Sequence, residues 1–259
     1  NMMAGGALRI DHVMRFFRLY WIPAGFTARE GTYVRDFSED LVRILALESV
    51  RNQVLVVGED LGTVEPATRK TLERFGILSY RLFYFERGEA GEMNLPERYP
   101  AEALVATSTH DLPTIAGSWI GRDIEARDYA GLLPVHEVYE QQWAERRKLR
   151  QAILDALFAE GLMPDYYSRN ASDIPELTGE LHNAVVGYLA RTPSKLFQLN
   201  QEDLTKQLDQ QNLPGSTWQY PNWRRKMGCF LEDLTSDPVV AGSAAMFRHW
   251  LYETGREDR

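Results

Sequence analysis

The run Val54–Leu55–Val56–Val57–Gly58–Glu59–Asp60 decides the fold that this sequence predicts. Its four consecutive apolar residues, three of them β-branched, are typical of a parallel strand that is buried on both faces. A helical pattern that Ser38 can cap precedes the run, and a second, over about 65–75, follows it. Strands that alternate with helices indicate a parallel sheet covered by helices.

Outside this run, the same alternation continues along most of the chain. The other predicted strands lie at about 7–11, 79–85, 103–107 and 195–200. The stretch of about 115–194 is expected to be mostly helical, and its clearest helices lie at about 135–160 and 175–190. The segment from Pro23 to Gly31 is interpreted as a turn-rich loop.

Three acidic residues come just after three of the predicted strands. They are Asp11, Glu59 and Asp111. A single acid in such a place is more often a helix cap or a turn residue. Three of them suggest a shared site, because the carboxyl ends of the strands of a (β/α) barrel are where catalytic groups collect.

Retaining glycoside transfer is one chemistry that such acids can perform. It needs a carboxylate that attacks the anomeric carbon and a second carboxyl group that protonates the departing oxygen. A metal site is the alternative, because His12 and His110 lie beside two of the acids. Their spacing matches no compact metal motif such as H-E-x-x-H, so we expect no metal.

The overall composition excludes some partners. The 259 residues carry a net charge of −8, which argues against nucleic acid or an anionic membrane as the main partner. No apolar run approaches the ~20 residues that span a bilayer. The single cysteine, Cys229, excludes an intrachain disulfide, and the chain starts without signal-peptide features, so we expect a cytoplasmic location.

Three motifs carry a resemblance to a known family. Arg9–Ile10–Asp11–His12–Val13 resembles the nucleophile strand of the amylomaltases, which are 4-α-glucanotransferases of glycoside hydrolase family 77 in the α-amylase clan. Val57–Gly58–Glu59–Asp60–Leu61–Gly62 resembles their acid/base motif, and Ser108–Thr109–His110–Asp111–Leu112–Pro113–Thr114 their third acidic motif. Other similar segments are Trp21–Ile22–Pro23, Glu48–Ser49 and Tyr220–Pro221–Asn222–Trp223–Arg224–Arg225.

The resemblance implies a role for each acid. Asp11 would be the nucleophile, Glu59 the general acid and then the general base, and Asp111 the residue that holds sugar hydroxyls and stabilises the transition state. The expected substrate-binding residues are Arg9, His12, His110 and Asn212. The resemblance implies neither a cofactor nor a metal.

The implied reaction moves a segment of an α-1,4-glucan to the 4-hydroxyl of an acceptor glucan or glucose, by a retaining double displacement. The partners would then be maltooligosaccharides. Two alternatives stay open: an α-amylase-type glycoside hydrolase that uses the same acids, and an inactive glucan-binding fragment. The acids do not choose between transfer and hydrolysis, because that choice depends on how well the site excludes water.

The resemblance also implies an incomplete barrel. The nucleophile of the family follows the fourth of eight strands, so the five strands here would be about strands 4 to 8 of a TIM (β/α)8 barrel. Residues 1–259 would form one partial catalytic domain with helical insertions, chiefly the insertion at about 115–194. The strands at 7–11 and 195–200 would be edges that the missing N-terminal half, or another copy of the chain, covers.

Overall fold

The computed structural model describes residues 2–256. Its strands are β1 (Ala7–Ile10), β2 (Arg18–Trp21), β3 (Thr32–Arg35), β4 (Leu55–Gly58), β5 (Leu78–Leu82), β6 (Ala103–Ala106) and β7 (Leu196–Gln198). Its α-helices are α1 (Ser38–Asn52), α2 (Pro66–Arg74), α3 (Ile115–Ile120), α4 (Arg122–Tyr129), α5 (His136–Ala159), α6 (Gly179–Ala190), α7 (Gln201–Leu204) and α8 (Pro238–Glu253).

Five strands form one sheet, in the order β1-β4-β5-β6-β7. β1 pairs with β4 in parallel, with Ala7 opposite Leu55 and Ile10 opposite Gly58, and β4 pairs with β5 in parallel. This sheet confirms the five predicted strands and their order along the chain. It also confirms that the first and last of them, β1 and β7, occupy the two ends of the sheet.

One predicted strand was wrong in part, and one pair of strands was not predicted. The strand expected over 79–85 ends at Leu82, and Phe83–Phe85 forms a 3₁₀ turn whose first two residues are buried. The loop predicted from Pro23 to Gly31 is confirmed, but the strands on either side of it, β2 and β3, pair as an antiparallel hairpin that was not predicted. The alternation of buried and exposed residues that predicts a half-buried strand is absent from β2 and β3, which explains why the hairpin was missed.

The chain divides into two compact units. The first comprises the chain up to Arg81, with Pro100–Leu104 and Ser194–Leu196. Its core packs α1 and α2 against β1 and β4 through buried apolar side chains: Val13, Val42, Leu45, Val56, Leu72 and Ile77. Helix α2 begins with Pro66, whose fixed φ suits a first helical position, and Gly76 follows its end with a positive φ.

The second unit comprises Leu82–Tyr99, Val105–Pro193 and the chain from Phe197 onward. The helices of this unit supply most of its core, which includes Leu154, Leu157, Leu181, Val185, Tyr188 and Leu189. The indole of Trp119 donates a 2.9 Å hydrogen bond to the carbonyl of Ile174 and so ties α3 to the segment before α6. Among residues 2–256, no helix combines the length and the apolar character needed to cross a bilayer.

Candidate active site

Asp11 and Glu59 leave the sheet side by side in the first unit. Their predecessors, Ile10 and Gly58, are opposite each other in the register of β1 and β4. The Glu59 N–H donates to the Ile10 carbonyl at 2.9 Å, and the Val13 N–H donates to the Glu59 carbonyl at 3.0 Å. Because both strands end at the same level, the two acids lie at the same edge of the sheet.

The carboxyl group of Glu59 is held by two backbone donors. Its Oε2 accepts the His12 N–H at 2.8 Å, and its Oε1 accepts the Leu61 N–H at 2.7 Å. His12 has a left-handed backbone conformation, with a φ of 45°, which few residues other than glycine adopt readily. These two hydrogen bonds fix the orientation of the carboxyl group and link it directly to the turn that follows Asp11.

Arg9 orients Asp11 from the same strand. Side chains two residues apart on a strand lie on one face, and Arg9 Nη2 contacts Asp11 Oδ1 at 2.9 Å. The Arg9 guanidinium also lies over the ring of Tyr80, 5.6 Å from its centroid. Burial raises the pKa of Tyr80. The positive charge of Arg9 lowers this pKa and the negative charge of Glu59 raises it, so the phenol interacts electrostatically with both groups.

The residues beside Glu59 belong to the packed interior. A Cβ added to Gly58 would lie 3.1 Å from both methyl carbons of Val13, so the close approach of the two chain segments favours glycine here. On the other side, Asp60 is only 1% exposed and accepts the Tyr80 N–H at 2.8 Å. The turn that carries Glu59 is therefore anchored before and after the acid.

Asp111 belongs to a second group of polar residues, in the second unit. Its Oδ1 accepts the Asn212 amide at 2.6 Å, and its Oδ2 lies 3.2 Å from His110 Nε2. Gln210 Nε2 donates to the Asp111 carbonyl at 3.0 Å and to the Asn212 carbonyl at 2.6 Å. The structure thus brings together three residues that the sequence suggested separately: His110, Asp111 and Asn212.

An exposed tryptophan lies beside this group. The ring of Trp223 is 5.0 Å from that of His110, and 64% of the residue is exposed. Its φ of 58° is left-handed, and its N–H donates to the Gln211 carbonyl at 2.9 Å. An exposed indole next to hydrogen-bonding groups is a surface on which a sugar ring can stack. The sequence drew attention to the segment around Trp223 but gave this residue no role.

Tyr80 and Gln210 were also missed. Tyr80 lies on the same buried face of β5 as Leu78 and Leu82, so the pattern indicates only a core residue. Gln210 lies in a polar segment without periodicity, and its bonds to Asp111 and Asn212 depend on a loop conformation that local sequence does not reveal.

A parallel sheet with helices and with acids directly after its strands is the architecture of the (β/α)-barrel enzymes. The model of glycoside hydrolase family 77, described as 4-alpha-glucanotransferase, matches residues 1–231, and the chain belongs to this family.

Relatives and solved structures agree with this assignment. The chain is 40% identical to the 4-alpha-glucanotransferase of Haemophilus influenzae, over 88% of the chain and 32% of that protein. It is 38% identical to that of Mycobacterium bovis, over 94% of the chain and 34% of the relative. The chain therefore spans about a third of the length of these relatives.

Two amylomaltase structures share the fold. The crystal structure of the Corynebacterium glutamicum amylomaltase matches with a TM-score of 0.86 and 30% identity, over 95% of this chain and 36% of that one. The Streptococcus agalactiae amylomaltase, solved in complex with acarbose, matches with a TM-score of 0.62 and 16% identity, over 96% and 41%. The five-stranded sheet is thus part of a TIM barrel that is incomplete in this chain.

Proposed function

We propose that the protein containing this chain is a 4-α-glucanotransferase. It transfers a segment of an α-1,4-glucan to the 4-hydroxyl of an acceptor glucan or glucose, with retention at the anomeric carbon. The observation that carries the proposal is the position of Asp11 and Glu59 directly after paired residues of β1 and β4. Two carboxyl groups on adjacent strand ends suit the short separation of about 5–5.5 Å that a retaining pair requires.

Asp11 is the nucleophile in this mechanism. Its carboxylate attacks the anomeric carbon of the donor, forms a covalent glycosyl ester and breaks the bond to the leaving sugar. The Arg9 guanidinium, 2.9 Å from Asp11 Oδ1, holds the attacking group in one orientation. Ion pairs as exposed as this one add little to stability, so its value lies in orientation.

Glu59 is the general acid and then the general base. It protonates the oxygen of the departing sugar and later takes the proton from the 4-hydroxyl of the acceptor, which attacks the ester. Since both of its oxygens are held by backbone N–H groups, the carboxyl group needs little reorganisation between the two steps.

Asp111 binds hydroxyls of the reacting sugar and stabilises its positive transition state. Asn212 and His110, which contact its two oxygens, fix its orientation and are themselves placed to bind sugar. The imidazole of His12 is the fourth proposed binding group, because that residue is exposed and only its backbone is used by Glu59. Trp223 supplies the apolar face beside His110.

The N-terminal half of the barrel is the partner that we propose for the first unit. Helix α1 has exposed apolar residues at helical spacing: Ile44, Leu47 and Val50 are 58%, 56% and 76% exposed. The first unit also contains β1, which lies at one end of the sheet. Residues 1–259 would then be part of a catalytic domain, with the helices of about 115–194 as an insertion. The single cysteine agrees with a reducing compartment such as the cytoplasm.

Incubation of the full-length protein with maltotriose tests this function. A glucanotransferase produces a ladder of longer maltooligosaccharides together with glucose. A hydrolase that uses the same acids would release only glucose and maltose, and an inactive glucan-binding protein would leave maltotriose unchanged. Either of these two outcomes would overturn the proposal.

A further inference from the structure

The loop between β6 and α3, residues 107–114, carries His110 and Asp111 and is closed at its base by one buried carboxylate. Asp203 Oδ2 accepts a short hydrogen bond from the hydroxyl of Thr107, at the start of the loop. Asp203 Oδ1 accepts the backbone N–H of Ile115, at the end of the loop, at 2.8 Å. One carboxyl group thus joins the two ends of the segment that holds the third acid of the site.

Burial distinguishes the base of this loop from its tip. Asp203 is 2% exposed, Thr107 0% and Ile115 4%, whereas the side chain of Asp111 is 44% exposed. A carboxyl group that is removed from water is costly unless its hydrogen bonds are made. Burial raises the pKa of Asp203 to about 6, and the hydrogen bonds from Thr107 and Ile115 partly offset that effect.

We propose that Asp203 is a positioning residue for the transfer reaction, because its carboxyl group bridges Thr107 and Ile115 and so fixes the loop that presents Asp111. This inference rests on the proposed function, in which Asp111 contacts the reacting sugar. Asp203 itself does not contact the substrate. It acts through the conformation of the loop.

The chain that follows Asp203 supports the same loop at further points. The hydroxyl of Thr114 donates to the Gln207 carbonyl at 2.6 Å and accepts the Gly117 N–H at 2.9 Å. Nearer the tip, Gln210 donates to the Asp111 carbonyl at 3.0 Å. Segment 203–212 therefore contacts the loop at its base and at its tip, and Asp203 is the buried end of that support.

Two substitutions of Asp203 distinguish the effect of its hydrogen bonds to Thr107 and Ile115 from the effect of its negative charge. Asp203→Asn can keep the bridge, because its carbonyl can accept the Ile115 N–H while its amide donates to the Thr107 hydroxyl. Asp203→Ala removes both bonds. In the full-length protein, we expect Asp203→Ala to lower kcat for maltotriose disproportionation about tenfold or more, and Asp203→Asn to stay within about threefold of wild type.

A matched control comes from another carboxylate of the second unit, whose side chain is only 12% exposed. Asp123 accepts two hydrogen bonds from Arg146, each at 2.8 Å, and has no part in the proposed site. Asp123→Ala is expected to lower Tm without changing kcat per folded molecule. If Asp203→Ala does the same, its role is only structural and the proposal is wrong.

A double-mutant cycle tests whether Asp203 acts through Asp111. Asp111→Asn alone should lower kcat strongly, and adding Asp203→Ala should lower it no further than about twofold, because the group being positioned is already lost. Independent, additive losses would contradict the proposal. If Asp111→Asn kept wild-type kcat, the role of Asp111 in the proposed function would fail first, which is a distinguishable result.

Thr107→Val keeps the experiment informative if Asp203→Ala does not fold. The substitution removes one arm of the bridge and leaves the bond to Ile115. We expect a fall in kcat of about threefold or more, which disappears in the Asp111→Asn background. An unchanged kcat, or a fall that persists in that background, would overturn the proposal.

Discussion

At the scale of single residues, the proposed chemistry depends on how differently the acids are held. Asp11 is exposed and contacts the guanidinium of Arg9, whereas Glu59 accepts two backbone hydrogen bonds. A nucleophile must advance toward the anomeric carbon, while an acid/base must stay aligned with one oxygen through two steps. These different environments suit the two roles that we propose for Asp11 and Glu59.

Glu59→Gln separates the acid from the nucleophile. In the full-length protein, we expect transfer from maltotriose to fall by about 10³-fold or more, because the leaving sugar needs a proton. A donor with an activated leaving group, such as an α-glucosyl fluoride, should still form the glycosyl-enzyme at a measurable rate. Asp11→Asn should lose both reactions. If Glu59→Gln slowed the reactions of both donors equally, or if either reaction survived in Asp11→Asn, the assignment of the two roles would be wrong.

The buried carboxyl group of Asp203 predicts a pH dependence of stability. Burial raises its pKa from the ordinary value of 3.8 to about 6, so between these pH values the unfolded state releases a proton that the folded state keeps. The contribution of Asp203 to stability therefore falls as pH rises from 4 to 6 and then levels off.

The Asp203→Asn protein does not lose stability in this way, because an asparagine at this position cannot titrate. The difference in free energy of unfolding between the two proteins should shift in favour of Asn by ~3 kcal/mol or less across that window. Denaturant titrations of both proteins at several pH values measure it. A difference that is constant with pH would contradict the raised pKa.

At the scale of secondary-structure elements, the sequence predicted those strands and helices whose apolar residues follow a regular spacing. The apolar run of β4 and the helical periodicity of α1 and α2 were sufficient to place those elements. The predicted cap of α1 was wrong, because Ser38 is the first helical residue and the N-cap is Phe37, which makes no side-chain hydrogen bond. The β2–β3 hairpin lacks an alternating pattern, and the contacts of Trp223 and Gln210 depend on irregular loops. Asp11 and Glu59 were found because each follows a strand directly, and Asp111 because it lies in the loop after β6. Tyr80 and Gln210 were missed because they are distant in the sequence from the acids that they support.

The junction of β4 and the turn after β1 should tolerate no side chain at Gly58. In Gly58→Ala, the new Cβ would lie 3.1 Å from the methyl carbons of Val13, which is 0% exposed and has no room to move. We expect a loss of ~1–3 kcal/mol in free energy of unfolding. The control is Gly242→Ala on the exposed face of α8, where a Cβ meets nothing within 4 Å and should stabilise by ~0.5–1 kcal/mol. Thermal unfolding of both variants checks this; an unaffected Gly58→Ala would contradict the close packing.

At the scale of the whole molecule, the chain contains five strands of a TIM barrel and spans about a third of the length of its relatives. The exposed apolar side of α1 is the feature of the first unit that such a partial barrel explains. The same face would be covered if the N-terminal half packed against it, in agreement with the proposed partner.

Leu47→Glu tests that contact. Leu47 is 56% exposed here, but the added charge would be buried and unpaired in the full-length protein. We expect the substitution to destabilise the full-length protein by ~2 kcal/mol or more, and to reduce self-association of residues 1–259 expressed alone. Val239→Glu is the control, because that residue is 46% exposed at the start of α8, where an acid is tolerated. Equal stability of the two full-length variants would place the contact elsewhere.

Trapping the covalent intermediate tests the central claim most directly. The full-length Glu59→Gln protein, incubated with an α-glucosyl or α-maltosyl fluoride, should accumulate a glycosyl-enzyme, because the donor needs no acid to leave and the second step lacks its base. After proteolysis, mass spectrometry should locate the sugar ester on the peptide that contains Asp11, and Asp11→Asn should abolish it. An ester on any other residue, or a product with inverted anomeric configuration and no ester, would contradict the account.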